Sequence, residues 1–384
     1  MKIVHVHHHY WPVVGGLERS IESIAKELVK LGHDVHVITS MFGAEGRPRE
    51  EVVDNVYIHR VEALRLHFPD LTIPLKVPRE VLEKADVIIC WNQNSYFTYR
   101  VCKDAKRLRK TLAVYFIGVD YLKHHYNPFI RVFGFPYQKW ITQKIARLAD
   151  VALTTNEYEK KLLEDKYSVN AIVLPHGIDE EYLKLPNMAE TFRNKYGIYG
   201  RIITYIGRIH PTKGLDLLLK AFAYVAREVP DTILVIAGRG DDKYLRRCLK
   251  IAEKAGVRDR LRILGYIGEE DKIALIDASD IIVLPTKHAG ESFPLIIPEV
   301  LARGKDIIIT SGSIASIWIR DLGIARVVEA NHISIAKAVI EELGKSREVI
   351  NIRSYFNKYI YTWSQIANNL AEILQKLHTT ISRH

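Results

Sequence analysis

Short apolar runs rich in β-branched residues alternate along the chain with longer amphipathic stretches. KIVHVHHH, beginning at Lys2, reads as a strand. GLERSIESIAKELVKLG follows, with Leu17, Ile21, Ile24, Ala25, Leu28 and Leu31 at helical spacing. DVHVIT, ADVIICW, LAVYFIG and DVALTT come next, each with a helical candidate nearby. The pattern restarts at RIITYIGRI and runs through TILVIAGRG, RLRILGYI, DIIVLPT and DIIITSG, again with helices between. Apolar strands alternating with helices predict an α/β fold, a parallel sheet covered on both faces. Two successive doubly wound, Rossmann-like halves are expected. The boundary is expected near VLPHGIDEEYLKLPN, where proline and glycine cluster after a short strand. The predicted division is therefore 1–185, 186–350 and a helical segment 351–384 packing back toward the first half. That last segment holds the amphipathic YTWSQIANNLAEILQKL.

A length of 384 residues agrees with more than one core. Three scattered cysteines, Cys90, Cys102 and Cys248, show no CxxC spacing. They argue against a disulfide framework or a zinc knuckle and for a reducing compartment. MKIVHVHHHYWP reads as a strand rather than a signal peptide. No apolar run reaches the roughly 20 residues that cross a bilayer. A cytoplasmic chain is expected, peripheral on the inner face of the cell membrane at most. The net charge of +10 calls for an anionic partner: nucleic acid, anionic lipid or a phosphorylated small molecule. Neither half shows G-x-G-x-x-G after its first strand, which counts against a nicotinamide dehydrogenase.

Open α/β sheets bind ligands beyond the carboxyl ends of their strands, so two such sheets point to a central cleft between them. In YIGRIHPTKGLDLLLKAF, Arg208 and Lys213 leave a strand end near a helix N-terminus. Two fixed cations and a helix dipole neutralise a diphosphate without a metal ion. In GESFPLIIPEVLARG, Pro294 fits a helix start, which leaves Glu291 in the loop and Glu299 one to two turns inside the helix. A loop carboxylate suits sugar hydroxyls, and the helical one a ribose diol. Each stretch alone also has a bland reading as solvated charge.

Together, and in this order, the two stretches resemble the retaining group 1 glycosyltransferases of GT-B fold. That family carries a GR…KG segment followed by an E-x7-E motif. The resemblance covers nearly the whole chain. HHYWPVVGGLERSIESIAKELVKLGHDVHVIT, VLPHGID, LGYIGEEDKIALIDASDIIVLPT and YTWSQIANNL match further family elements. It implies a nucleotide-diphosphate sugar as donor, with no cofactor and no metal. Arg208 and Lys213 would bind the diphosphate, and Glu299 the ribose. Glu291 would hold the transferred sugar, alongside Ser292, Phe293, Pro294 and Leu295. Tyr266 and Ile267 would flank the base, with Arg239 lining the same pocket, and the Gly15–Gly16 turn would approach the donor phosphates. The N-terminal half would hold a sugar or lipid-linked acceptor, with His8, His9, Asp120 and His124 on that side. No role in binding nucleic acid is implied, and the oligomeric state is left open.

Several positions depart from the family pattern. Ser292 and Pro294 stand where the family has glycines, Pro298 precedes Glu299, and Asp306 occupies a position where a G-x-P is frequent. In AVYFIGVDYL the residue before G-x-D is Ile117, where many relatives carry a histidine near the reacting sugar. Ile117 favours an alternative: a degenerate GT-B protein that binds a sugar nucleotide without efficient transfer. Between Tyr96 and Leu148 cations interleave with aromatics, among them Arg131, Lys139 and Lys144 with Phe129, Phe133, Phe135, Tyr137 and Trp140. Such a face predicts an anionic membrane surface as partner; the bland reading is a cationic helix followed by an aromatic core segment. In the histidine run after Lys2, strand alternation puts His5 and His7 on one face and His8 on the other. A tight metal cluster is therefore not expected there, and the two outermost rings, His8 and His9, are expected to face the cleft.

Overall fold

The structure is a computed structural model that describes residues 1–66, 71–125, 127–345 and 359–381. The chain divides into two compact units, Met1–Gly177 with Tyr361–His384 and Ile178–Ile360.

In the first unit the strands are β1 (Lys2–Val6), β2 (Asp34–Ser40), β3 (Glu50–Val53), β4 (Val56–Val61), β5 (Ala63–Leu66), β6 (Leu71–Pro74), β7 (Val87–Trp91), β8 (Thr111–Phe116), β9 (Val151–Thr154) and β10 (Ala171–Val173). Among the described residues they form an eight-stranded sheet, ordered β10-β9-β8-β7-β1-β2-β4-β3, and a β5-β6 ribbon. All neighbours in the large sheet run parallel except the edge pair β3–β4. Helices α1 (Gly16–Lys30), α2 (Arg79–Glu83), α3 (Tyr96–Arg107), α4 (Pro128–Ala146) and α5 (Glu157–Tyr167) connect the strands. Both VIICW in β7 and TLAVYF in β8 are buried at every position, as central parallel strands covered on two faces must be. In α1 the predicted stripe is buried at Ile21, Ile24, Ala25 and Leu28. Leu31 departs from it, being the C-cap residue and exposed.

In the second unit α6 (Glu181–Lys184) and α7 (Ala189–Tyr196) precede the sheet. Strands β11 (Arg201–Ile206), β12 (Thr232–Ala237), β13 (Leu261–Gly265), β14 (Ile281–Leu284), β15 (Ile307–Thr310) and β16 (Arg326–Val328) then build it. They run wholly parallel in the order β13-β12-β11-β14-β15-β16. The covering helices are α8 (Leu215–Glu228), α9 (Asp242–Lys254), α10 (Glu269–Ala278), α11 (Ile296–Ala302), α12 (Ile314–Leu322) and α13 (His332–Gly344). Leu218, Leu219, Phe222 and Val225 of α8 pack with Ile203, Leu234 and Val339 in this unit's core. Each unit is thus built on one Rossmann-like, mainly parallel sheet, as the resemblance to a GT-B fold implies.

Two expectations change. The boundary lies at Gly177, ahead of the predicted 185/186, because the residues just after it are tied into the second unit. Arg303 donates to the carbonyls of Tyr182, Leu185 and Pro186, and its guanidinium forms a buried pair with Asp277. Beyond the second unit, α14 (Trp363–Ile381) rejoins the first and packs on α1. Residues 351–358 and 382–384 of the predicted helical segment lie outside the described residues. The cysteine reading is also corrected, since Cys90 and Cys102 form a buried disulfide between β7 and α3. Their spacing hides this, because a strand and the helix folded back over it bring the two thiols to a Cα–Cα distance of 6.6 Å.

Candidate functional site

In the second unit the site grows from the carboxyl end of β11. The chain leaves that strand at Gly207, and Arg208, next in line, is exposed. Tyr205 fixes the exit by donating its hydroxyl to the Arg208 carbonyl at 2.8 Å. His210 then caps the short 3-10 turn Pro211–Lys213, accepting from Thr212 N. Gly214, at φ 69°, turns the chain into α8. A Cβ at Gly214 would lie 1.9 Å from the Pro285 carbonyl, so the loop after β14 runs directly against this turn. Lys287 N donates to Thr212 O at 2.7 Å, and Lys287 Nζ pairs with Asp216 at 2.8 Å, closing the two loops together.

That closure brings Lys213 and Glu291 into an ion pair; Lys213 is 17% and Glu291 8% exposed at the side chain. Thr286 Oγ1 donates to the other carboxylate oxygen, Glu291 Oε2, at 2.7 Å. Burial pushes the Glu291 carboxyl up, but the Lys213 charge and the hydrogen bonds from Lys213 and Thr286 outweigh it. The net effect holds Glu291 below the usual carboxylate range. Its backbone is anchored as well, by Glu291 N to His288 O at 3.0 Å and Ala315 N to Glu291 O at 2.8 Å.

Downstream, Ser292 is buried and its carbonyl accepts from Trp318 Nε1 at 2.8 Å, while Phe293 stacks on the Trp318 ring at 5.3 Å. Pro294 is buried and Leu295 is the N-cap of α11, which starts later than predicted, at Ile296. Glu299 therefore stands in the first turn of α11, not one to two turns inside it. Pro298 is tolerated beside it because a first-turn amide has no partner within the helix. Glu299 is buried, and Lys272 of α10 lies 2.7 Å from its Oε2. On the loops after β12 and β13, Arg239 and Tyr266 come together, the guanidinium carbon 5.4 Å from the ring centroid. Tyr266 is 57% exposed, and Ile267 packs inward against a cluster containing Ile198 and Leu275.

The remaining predicted residues lie in the first unit. Gly15 is the extended N-cap of α1, and Glu18 folds back over it, so a Cβ at Gly15 would lie 2.1 Å from Glu18 Oε2. His7, His8 and His9 form a run of tilted rings at 4.4 and 4.5 Å, and His8 is buried rather than open. His5 accepts from Trp91 Nε1 at 3.0 Å, and burial lowers its pKa to about 3. Among the described residues no group of three or more His, Cys, Asp or Glu is arranged to hold a metal ion. Asp120 adopts a left-handed backbone (φ 57°), and its carboxylate meets the Tyr167 hydroxyl and the Lys166 ammonium. His124 is exposed at the end of a 3-10 turn. Ile117 is fixed through its backbone, with N donating to Gln93 Oε1 at 2.8 Å and O accepting from Asn94 Nδ2 at 3.0 Å.

Thr286, Lys272 and Trp318 were missed by sequence reasoning. Lys272 and Trp318 act through contacts between separate elements, and Thr286 through the fold of the loop it shares with Glu291. Only the unusual Trp in the α12 stretch offered a signal.

Residues 188–363 match the family model described as Glycosyl transferases group 1, and residues 14–182 that described as Glycosyltransferase Family 4. An uncharacterised glycosyltransferase of Methanocaldococcus jannaschii is 25% identical, with 97% of each chain covered. The phosphatidyl-myo-inositol mannosyltransferase of Mycobacterium leprae is 24% identical over 66% of this chain and 65% of its own. Among solved structures, Anabaena HepE in complex with UDP and glucose superposes with a TM-score of 0.70 at 14% identity, covering 98% of this chain and 99% of that one.

Proposed function

Because the chain belongs to the group 1 glycosyltransferases, enzymes of sugar-nucleotide-dependent transfer, we propose that it moves a hexosyl group to an acceptor hydroxyl with retention of anomeric configuration and without a divalent metal. The observation that carries this reading is the meeting of Lys213 and Glu291 at the strand ends of the second unit. In the free protein each neutralises the other. A donor diphosphate gives Lys213 a stronger anionic partner, with Arg208 as the second cation, and frees Glu291 to accept hydrogen bonds from the sugar hydroxyls. As the bond between the anomeric carbon and the β-phosphate oxygen breaks, negative charge grows on the leaving diphosphate, and the two cations stabilise it. The acceptor oxygen bonds to the anomeric carbon from the same face and gives its proton to the departing phosphate, so no separate base is required. Glu299 takes the ribose, and the stacked Arg239 and Tyr266 take the base. The UDP bound by HepE supports a nucleotide donor.

A lipid-linked acceptor, reached by peripheral docking on an anionic membrane, fits the first unit. Phe129, Val132 and Phe133 of α4 are 59%, 60% and 57% exposed beside the exposed cations Arg131 and Lys139. No helix among the described residues is long and apolar enough to cross a membrane. The name of the M. leprae relative is consistent with a lipid acceptor.

A thermal-shift panel of nucleoside diphosphates and nucleotide sugars, followed by transfer assays, tests the proposal. One nucleoside diphosphate at a hundredfold excess over its Kd stabilises the protein by about 2.7 kcal/mol. Glu291→Ala reduces transfer at least about a hundredfold, the scale on which losing one preorganised site group acts. Unchanged transfer by this variant would remove Glu291 from the reaction. Binding without transfer to any acceptor would instead favour the sugar-nucleotide-binding alternative, which rests on Ile117.

A further inference from the structure

Glu299, given the ribose hydroxyls in the reading above, has a partner outside the motif that identified it. Its side chain is 4% exposed, and Lys272 Nζ approaches its Oε2 to 2.7 Å, with 16% of the lysine side chain exposed. The same ammonium is 3.7 Å from Glu269 Oε2 and 5.6 Å from the centroid of the Tyr182 ring. Tyr182 closes the circuit by donating its hydroxyl to Glu269 Oε2 at 2.9 Å. Lys272 is thus held by groups from α6, α10 and α11. A buried carboxylate without a counter-charge is costly, and a lysine is normally too mobile to fix a carboxylate's orientation. Here the aromatic face and the second carboxylate remove that mobility.

Resting on the donor reading, we infer that Lys272 is the positioning residue for ribose recognition. It offsets the burial of the Glu299 carboxylate and fixes its orientation toward the diol. A role confined to holding α10 against α11 would leave the preference for ribose hydroxyls unchanged.

Calorimetric binding of UDP and GDP, each beside its 2′,3′-dideoxy counterpart, tests this on the full chain. The wild type prefers the ribo form of the better-bound nucleotide at least about tenfold, as expected of hydrogen bonds to a charged group. K272M cuts that preference to within about twofold, whereas K272R keeps most of it. A wild type without the preference overturns the ribose reading and this inference with it. A wild type that has it and a K272M that keeps it overturn the inference alone. If K272M does not unfold cooperatively, the comparison of E299Q with K272M/E299Q replaces it. Equal affinities in that pair support action through Glu299, and a further loss in the double variant overturns it.

Discussion

Gly214 turns under the Pro285 carbonyl with left-handed backbone, and on that turn depends the approach of Lys213 to Glu291. Gly214→Ala adds a methyl where an oxygen already sits and forces a side chain into a conformation costing about 1–3 kcal/mol by itself. The expected result is a lower melting temperature together with weakened nucleoside diphosphate binding, both read in one thermal titration. A variant with unchanged stability and affinity would show that the two loops do not need this contact. The residues that carry charge here were legible in the sequence: Arg208, Lys213, Glu291 and Glu299 follow predicted strands or open a predicted helix. Their partners were not. Thr286 and Lys272 are ordinary polar residues until the fold sets them beside a carboxylate. Glu299 was placed too deep in its helix, by about half a turn, because that helix begins at Ile296 rather than at Pro294.

Among the elements, α4 departs most from the rule that a helix hides its apolar face. Phe129 and Phe133, one turn apart, lie exposed with their ring centroids 4.7 Å apart and the rings tilted by 49°, while Gly134, Gln138, Ile141 and Ile145 cover the inner side. Wild-type protein is expected to co-sediment with phosphatidylglycerol-containing vesicles at low salt and to release as salt rises. Replacing both phenylalanines by serine should weaken binding at least about tenfold without lowering the melting temperature, because neither ring is part of the core. No sedimentation of the wild type at low salt would remove the membrane from the proposal. The alternation of elements was readable from period alone, since parallel strands buried on both faces leave continuous apolar runs. The disulfide was not, because thiols on a strand and its covering helix carry no spacing signature.

For the whole molecule, the buried histidines make acid a selective stress on the first unit. Burial lowers both His5 and His176 to about 3, and both belong to that unit. Their unfolded value is about 6.5, so between these limits the unfolded chain binds more protons. Stability is therefore fully present above about pH 6.5 and is lost as pH falls, by up to about 1.4 kcal/mol per pH unit for each ring. Denaturant titrations at pH 7, 6 and 5 should show this slope, and His5→Phe should flatten it by one proton. An unaltered slope would mean that His5 is not held neutral.

The return of the chain at Tyr361 carries a further consequence. Gly177 lies so close to Trp363 that a Cβ there would come within 2.6 Å of its backbone nitrogen, so the exit from the first unit and the re-entry to it are packed side by side. Unit 2 is thus threaded into unit 1 as an insertion. On the ribosome, α1 keeps an uncovered apolar flank until α14 has emerged, after every residue of the second unit's sheet. The first unit is therefore completed only after the whole of the second has been synthesised.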